Sequence, residues 1–160
     1  MKRLLTIGLA AAIAAASAAT WAQNAGPPTP EQQAANATLT RQGLFKVMGS
    51  QMGPIGGMLR NQVPFDAAVI ARNSARIEAL ADMIPELFAL DTRKFTATKT
   101  AALDGIWNSQ ADFKVKADGL TKAASVLTAA AKSGDKAATL KAAGDVGKAC
   151  GSCHDNYRAK

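Results

Sequence analysis

The stretch L-K-A-A-G-D-V-G-K-A-C-G-S-C-H-D-N-Y-R-A-K, residues 140–160, closes the chain and holds both cysteines and the only histidine of the sequence. Leu140, Ala143, Gly147, Cys150 and His154 recur at steps of three and four, the period that puts side chains on one face of an α-helix. On that phase Cys150 and His154 point the same way, toward whatever this helix packs against. Ala143, Gly144 and Gly147 are small, so the face is expected to leave room, although protein cores normally pack to crystal-like density.

The partners are written at the same period. Upstream, Ser133-Gly134-Asp135 predicts a tight turn. Before it, Ile106, Phe113, Ala117, Leu120, Ala124 and Leu127 mark a helix over about 103–132. Ile70, Ile77, Leu80 and Ile84 lie on one stripe of a helix that starts near Pro64 and ends before Pro85. Phe45, Met48, Met52 and Ile55 form the stripe of a first helix beginning at Glu31, with Gly53-Pro54 and Gly56-Gly57 expected to kink or loosen its end. Residues 86–100 read as a long connection with Phe88 and Phe95 as packing anchors, and connections of this length often carry function. Four helical segments with almost no alternating β-branched pattern predict an all-α fold, an antiparallel four-helix bundle in one domain.

The N-terminus has a separate character. Lys2 and Arg3 precede an apolar run from Leu4 to Ala19, and Thr20-Trp21-Ala22 offers a small-residue cleavage site. Residues 1–22 therefore read as a signal peptide and 23–160 as the exported domain, periplasmic in location, with 23–30 as a proline-rich leader. The run of about 16 apolar residues is short of the roughly 18 that span a bilayer as a helix. Removing 1–22 takes away two basic residues and no acid, lowering the formal charge from +7 to +5. The basic residues are scattered without interleaved aromatics and there is no glycine-rich phosphate loop, which argues against a nucleic-acid partner. No later stretch is long and apolar enough to predict a membrane segment.

In an oxidising compartment the first reading of Cys150 and Cys153 is a disulfide, but a loop across two residues would stabilise little. A thioredoxin-like pair belongs at the start of a helix that follows a strand, and here the pair ends the last helix. Structural zinc wants four ligands where this stretch supplies three, with Asp155 poorly placed to be the fourth. C-G-S-C-H instead matches the C-x-x-C-H signature of haem c attachment. Two cysteines one helical turn apart reach the two vinyl groups of a single porphyrin as thioethers, and His154 presents its imidazole to the iron. With one histidine per chain, a second axial ligand would have to be a methionine. The candidates are Met48, Met52, Met58 and Met83, for which plain core packing is the stronger reading.

A C-x-x-C-H at the very end of an exported four-helix chain resembles the cytochrome c′ family over essentially the whole mature domain. C-G-S-C-H-D-N-Y-R resembles the family's ending, Arg41-Gln42 its Arg-Gln pair on the first helix, and Ile106-Trp107 its Ile-Trp pair. The resemblance implies one covalent haem c per chain, five-coordinate and high-spin, with His154 on one side of the iron. It places Phe45, four residues after Arg41, at the distal face, where low-spin relatives put a methionine ligand; ordinary core packing is the alternative for Phe45. It places Arg158 beside the proximal histidine, a position that a helix C-terminus also favours for a cation. Arg41 and Gln42 become candidates for the haem propionates. Thr100 is a weaker one, because T-A-T-K-T-A-A-L-D-G departs from the family's local pattern, and Trp107 packs either on the haem edge or simply in the core. The implied function is binding of nitric oxide or carbon monoxide, not catalysis, and the implied assembly is a homodimer. A peroxidase would need a distal acid–base group the chain lacks, and the competing reading is an electron carrier with a methionine sixth ligand.

Overall fold

The computed structural model describes residues 26–160. Residues 1–22, read as a signal peptide, and the first part of the expected leader lie outside the described residues. Among the described residues there are six helices and no strand: α1 (Pro30–Leu59), α2 (Ala67–Asp82), α3 (Ile84–Leu87), α4 (Gly105–Asn108), α5 (Gln110–Ser133) and α6 (Lys136–Tyr157). The four long ones, α1, α2, α5 and α6, make the four-helix bundle.

Local chemistry sets most helix ends. Thr29 Oγ1 accepts from the Gln32 N–H at 3.3 Å while Gln32 Oε1 accepts from the Thr29 N–H at 2.8 Å, a reciprocal capping box followed by Pro30 in the first turn. At the other end of α1, Asn61 adopts φ 55°, the Asn61 N–H reaches Met58 O at 3.1 Å and the Gln62 N–H reaches Gly57 O at 2.9 Å. That pair of bonds is a Schellman motif, with asparagine in the left-handed position usually given to glycine. Asp66 caps α2 by accepting from the Val69 N–H at 3.0 Å, and Asp135 caps α6 by accepting from the Ala138 N–H at 2.9 Å. The predicted turn before α6 is present, with Gly134 at φ 80°.

Three expectations about element boundaries need correction. Helix α1 continues through Pro54 for more than a turn, with Ile55 fully buried. Pro54 cannot supply the N–H that Ser50 O would accept, but buried Asn73 on α2 donates to Gln51 O at 3.1 Å, bracing that turn from outside the helix. The expected single helix over 103–132 is broken at Ser109 (φ −136°, ψ 50°), so α4 and α5 are separate. Pro85 does not simply end a helix: it sits in the first turn of α3, where its missing N–H is harmless, and Glu86 and Leu87 belong to that turn rather than to the connection.

The core joins α1, α2, α5 and α6 through Ile55, Ile70, Ile77, Leu127 and Val146, each at most 1 % exposed. Inside it, Ser74 Oγ and Thr128 Oγ1 share a hydrogen bond at 2.8 Å, linking α2 to α5. The buried face of α6 is Thr139, Ala142, Ala143 and Val146, whereas Gly147 is exposed. The α6 stripe is thus rotated from the expected one. Ala143 is fully buried core, and the cavity begins further along, at Ala149 and Cys150.

Candidate functional site

One turn beyond Val146, α6 turns Cys150, Cys153 and His154 toward a cavity of about 540 Å³, a size typical of small-molecule and cofactor sites. The helix carries them there because its buried face continues in phase: Val146 and Tyr157 are buried on either side, and the three groups between them are half-buried. No disulfide joins Cys150 to Cys153. Burial raises the pKa of each above the ordinary thiol value; for Cys153 the Lys116 ammonium pulls weakly the other way. Burial, and then the neighbouring Arg158 guanidinium, lowers the His154 pKa. Both effects favour a neutral imidazole, the form that can ligate a metal.

Eight of the residues singled out from the sequence line the same cavity: Arg41, Gln42, Phe45, Thr100, Cys150, Cys153, His154 and Arg158. Helix α1 contributes the first three. The neighbouring Leu44 and Met48 are buried, each 7 % exposed, while Phe45 is 39 % exposed at the cavity edge. Phe45 therefore belongs to the cavity wall and not to the buried stripe assigned to it by periodicity. Its ring rests against Phe88 with centroids 6.2 Å apart.

Arg158 was expected to share the last helical turn with His154. Instead α6 ends at Tyr157 and Arg158 is extended (φ −123°, ψ 129°). The cause is a short antiparallel pairing with the connection: Leu103 N–H donates to Tyr157 O at 3.0 Å and Ala159 N–H to Ala101 O at 2.8 Å. The Arg158 N–H still reaches His154 O at 3.1 Å, so the residue caps the C-terminus of α6 as a cation and stays on the cavity.

Arg41 is only 4 % exposed, and its donors are engaged by the chain itself. Nε donates to Leu87 O at 2.8 Å, one terminal nitrogen to Thr92 Oγ1 at 2.8 Å and the other to Leu90 O at 2.6 Å. The guanidinium lies 4.6 Å from the Phe88 ring centroid and 5.5 Å from that of Trp107, within cation–π range. A guanidinium has five N–H groups, so this arrangement leaves two for another acceptor. Gln42 Nε2 donates to Lys99 O at 2.8 Å, and Thr100 Oγ1 accepts from the Ala102 N–H at 3.1 Å. Trp107 does not line the cavity; it backs the wall, its Nε1–H donating to Phe88 O at 3.0 Å.

Several wall residues were missed by the sequence reading. Phe113 sits between Phe88 and Tyr157, with centroids 5.1 and 5.2 Å away, so the aromatic wall runs from α1 to α6. Tyr157 follows His154 by three residues and Lys116 follows Phe113 by three, helical spacings that could have flagged both. Met48, Gly49 and Met52 on α1 also reach the cavity, whereas Met58 and Met83 do not.

The residues suit haem. The walls are largely apolar, the thiols and the imidazole that a c-type attachment needs stand together, and the charged side chains reaching the cavity are Arg41, Lys116 and Arg158 with no carboxylate among them. A flat apolar group bearing two carboxylates complements that lining.

Comparisons with known proteins agree. A family model described as Cytochrome C' matches residues 36–158. Cytochrome c-554 of Cereibacter sphaeroides is 40% identical over 121 residues, covering 75% of this chain and 78% of the relative. The structure of cytochrome c prime from Shewanella frigidimarina superposes with a TM-score of 0.73 at 34% identity, covering 79% of this chain and 97% of the other. A nitric oxide complex of a leucine-to-alanine mutant of cytochrome c prime from Alcaligenes xylosoxidans superposes with a TM-score of 0.68 at 33% identity, covering 78% and 94%. With the bundle, the terminal cysteine–histidine cluster and these matches in agreement, the chain belongs to the cytochrome c′ family, whose cofactor is covalently bound haem c.

Proposed function

We propose that this chain is an exported, periplasmic haem protein that binds nitric oxide, and also carbon monoxide, reversibly, carrying or buffering the gas or limiting nitrosative damage. The observation that carries the reading is the presence of Phe45 in the same cavity as Cys150, Cys153 and His154. In this assignment Cys150 and Cys153 hold the porphyrin by thioethers and His154 is the axial ligand. When bound, haem supplies an iron with one axial position left to an incoming diatomic molecule. Phe45 cannot ligate iron; its ring excludes water and must yield to a ligand. Arg158 sets a positive charge beside His154. The two unspent Arg41 N–H groups, Gln42 and, more weakly, Thr100 face the propionates, and the nitric oxide complex of the Alcaligenes xylosoxidans relative supports the choice of gas.

Among the described residues no helix is long and apolar enough to cross a membrane. Leu39 and Val47, 56 % and 50 % exposed on α1, give an apolar surface that supports a homodimer, checked by the sedimentation mass of the haem-loaded protein. The absence of a second histidine speaks for ligand binding over peroxidase turnover.

The test is the absorption spectrum of the ferric and ferrous protein, with and without nitric oxide, for the wild type and Phe45→Met. A high-spin wild type that changes on adding the gas, and a variant displaced toward low spin before any gas is added, support the assignment. A wild-type ferric spectrum already of low-spin His/Met type refutes it. That second outcome belongs to an electron carrier, a reading favoured by Met48 and Met52 lining the cavity; the Met–iron absorption feature would then vanish in Met48→Leu or Met52→Leu.

A further inference from the structure

We infer that Gly49 controls how fast gas enters the site, by keeping open the space into which the Phe45 ring withdraws. The inference rests on the distal role proposed for Phe45. Inward movement of that ring is opposed by packing: Leu44 and Met48 flank it on α1 and are buried, and Phe88, against which it leans, is 5 % exposed and held on its far side by Phe113. The ring is already 39 % exposed, so its withdrawal runs outward along the surface of α1. Gly49 lies one turn on from Phe45 and lines the same cavity, and a Cβ built on Gly49 meets nothing within 4 Å. Side chains on an α-helix lean back over the turn that precedes them, so any side chain at position 49 would occupy the space beside position 45. Glycine is otherwise unfavourable inside a helix. At this place in α1 the missing side chain leaves exposed, open space at the rim of a ligand cavity.

The consequence is kinetic. A Cβ at position 49 meets no neighbour within 4 Å and any such substitution raises helix propensity, so folding of the Gly49 variants is expected, and their haem content is checked by the absorption of the loaded protein. Carbon monoxide association with the ferrous haem-loaded protein, followed by stopped flow, is measured for the wild type, Gly49→Leu, Phe45→Ala and the double variant. Gly49→Leu is expected to slow association at least about tenfold, Phe45→Ala to speed it, and the double variant to follow Phe45→Ala because no ring remains to be moved. Faster association in Phe45→Ala with wild-type kinetics in Gly49→Leu overturns the inference while leaving the Phe45 assignment standing. Equal slowing by Gly49→Leu in the presence and absence of the Phe45 ring also overturns it, since position 49 would then only obstruct the entrance. Unchanged association in Phe45→Ala refutes the distal assignment itself, and the Gly49 inference with it.

Discussion

Replacing Arg41 by glutamine tests whether this buried cation holds the connection between α3 and α4 against α1. The three bonds to Leu87 O, Leu90 O and Thr92 Oγ1 measure 2.6–2.8 Å and come from a single ionised group. Hydrogen bonds to charged groups contribute roughly 1.5–3 kcal/mol each. The sum overstates the loss, because carbonyls in a surface connection regain water when the guanidinium leaves. A net cost of about 3 kcal/mol is expected, which for a domain of this size lowers Tm by about 12 °C. Arg41→Lys keeps the charge but replaces a planar fork by a point donor, so it should recover less than half of the loss. Thermal unfolding of the haem-loaded protein gives the global number, and amide hydrogen exchange over residues 88–92 the local one, where protection is expected to fall further than in α2 or α5. Arg41→Gln with Tm within about 2 °C of wild type and unchanged exchange over 88–92 would refute the clamp. The guanidinium would then be spent chiefly on the cofactor.

Two further perturbations act at the opposite wall. The Tyr157 hydroxyl donates to Asp112 Oδ2 at 2.6 Å, and that bond pushes its pKa up to about 12 from 10.0. A raised pKa on a group that is neutral when protonated contributes stability that is complete below pH 10 and lost as pH rises through about 12. Tyr157→Phe should therefore flatten the stability profile between pH 10 and 12 while costing about 1 kcal/mol at neutral pH, followed by denaturant unfolding across that range. For attachment, Cys150→Ala and Cys153→Ala should each leave haem bound through one thioether, and the double variant should keep none after denaturing electrophoresis with haem staining; retention by the double variant would exclude the thioether assignment.

What was legible in this sequence was local. The C-x-x-C-H on α6, the Gly134 turn and the apolar steps on α2 and α5 are each readable within a few residues, because helical phase and turn chemistry are properties of short segments. The misread features depend on partners far along the chain. Helix α1 runs on through Pro54, where Asn73, 22 residues away, donates to the adjacent Gln51 O. Arg41, read as a propionate-binding cation, is drawn inward by acceptors 46–51 residues later, in a connection whose own sequence shows no period. Arg158 leaves its helix because Ala101 and Leu103 offer an edge to pair with, and nothing in N-Y-R-A-K announces that edge. The cavity wall shows the same division. Phe45 could be picked out only through its offset from Arg41, since periodicity put it in the core, and its 39 % exposure is what distinguishes a wall residue from a core one. Asn61 was the recoverable miss: asparagine tolerates the left-handed backbone, and L-R-N-Q after a glycine-rich turn is a helix-stop signal of the kind already recognised at Gly134. The covalent chemistry of this protein is thus encoded in five consecutive residues, whereas the selectivity argued for it depends on α1 and the connection, where a residue's neighbour in space is seldom its neighbour in sequence.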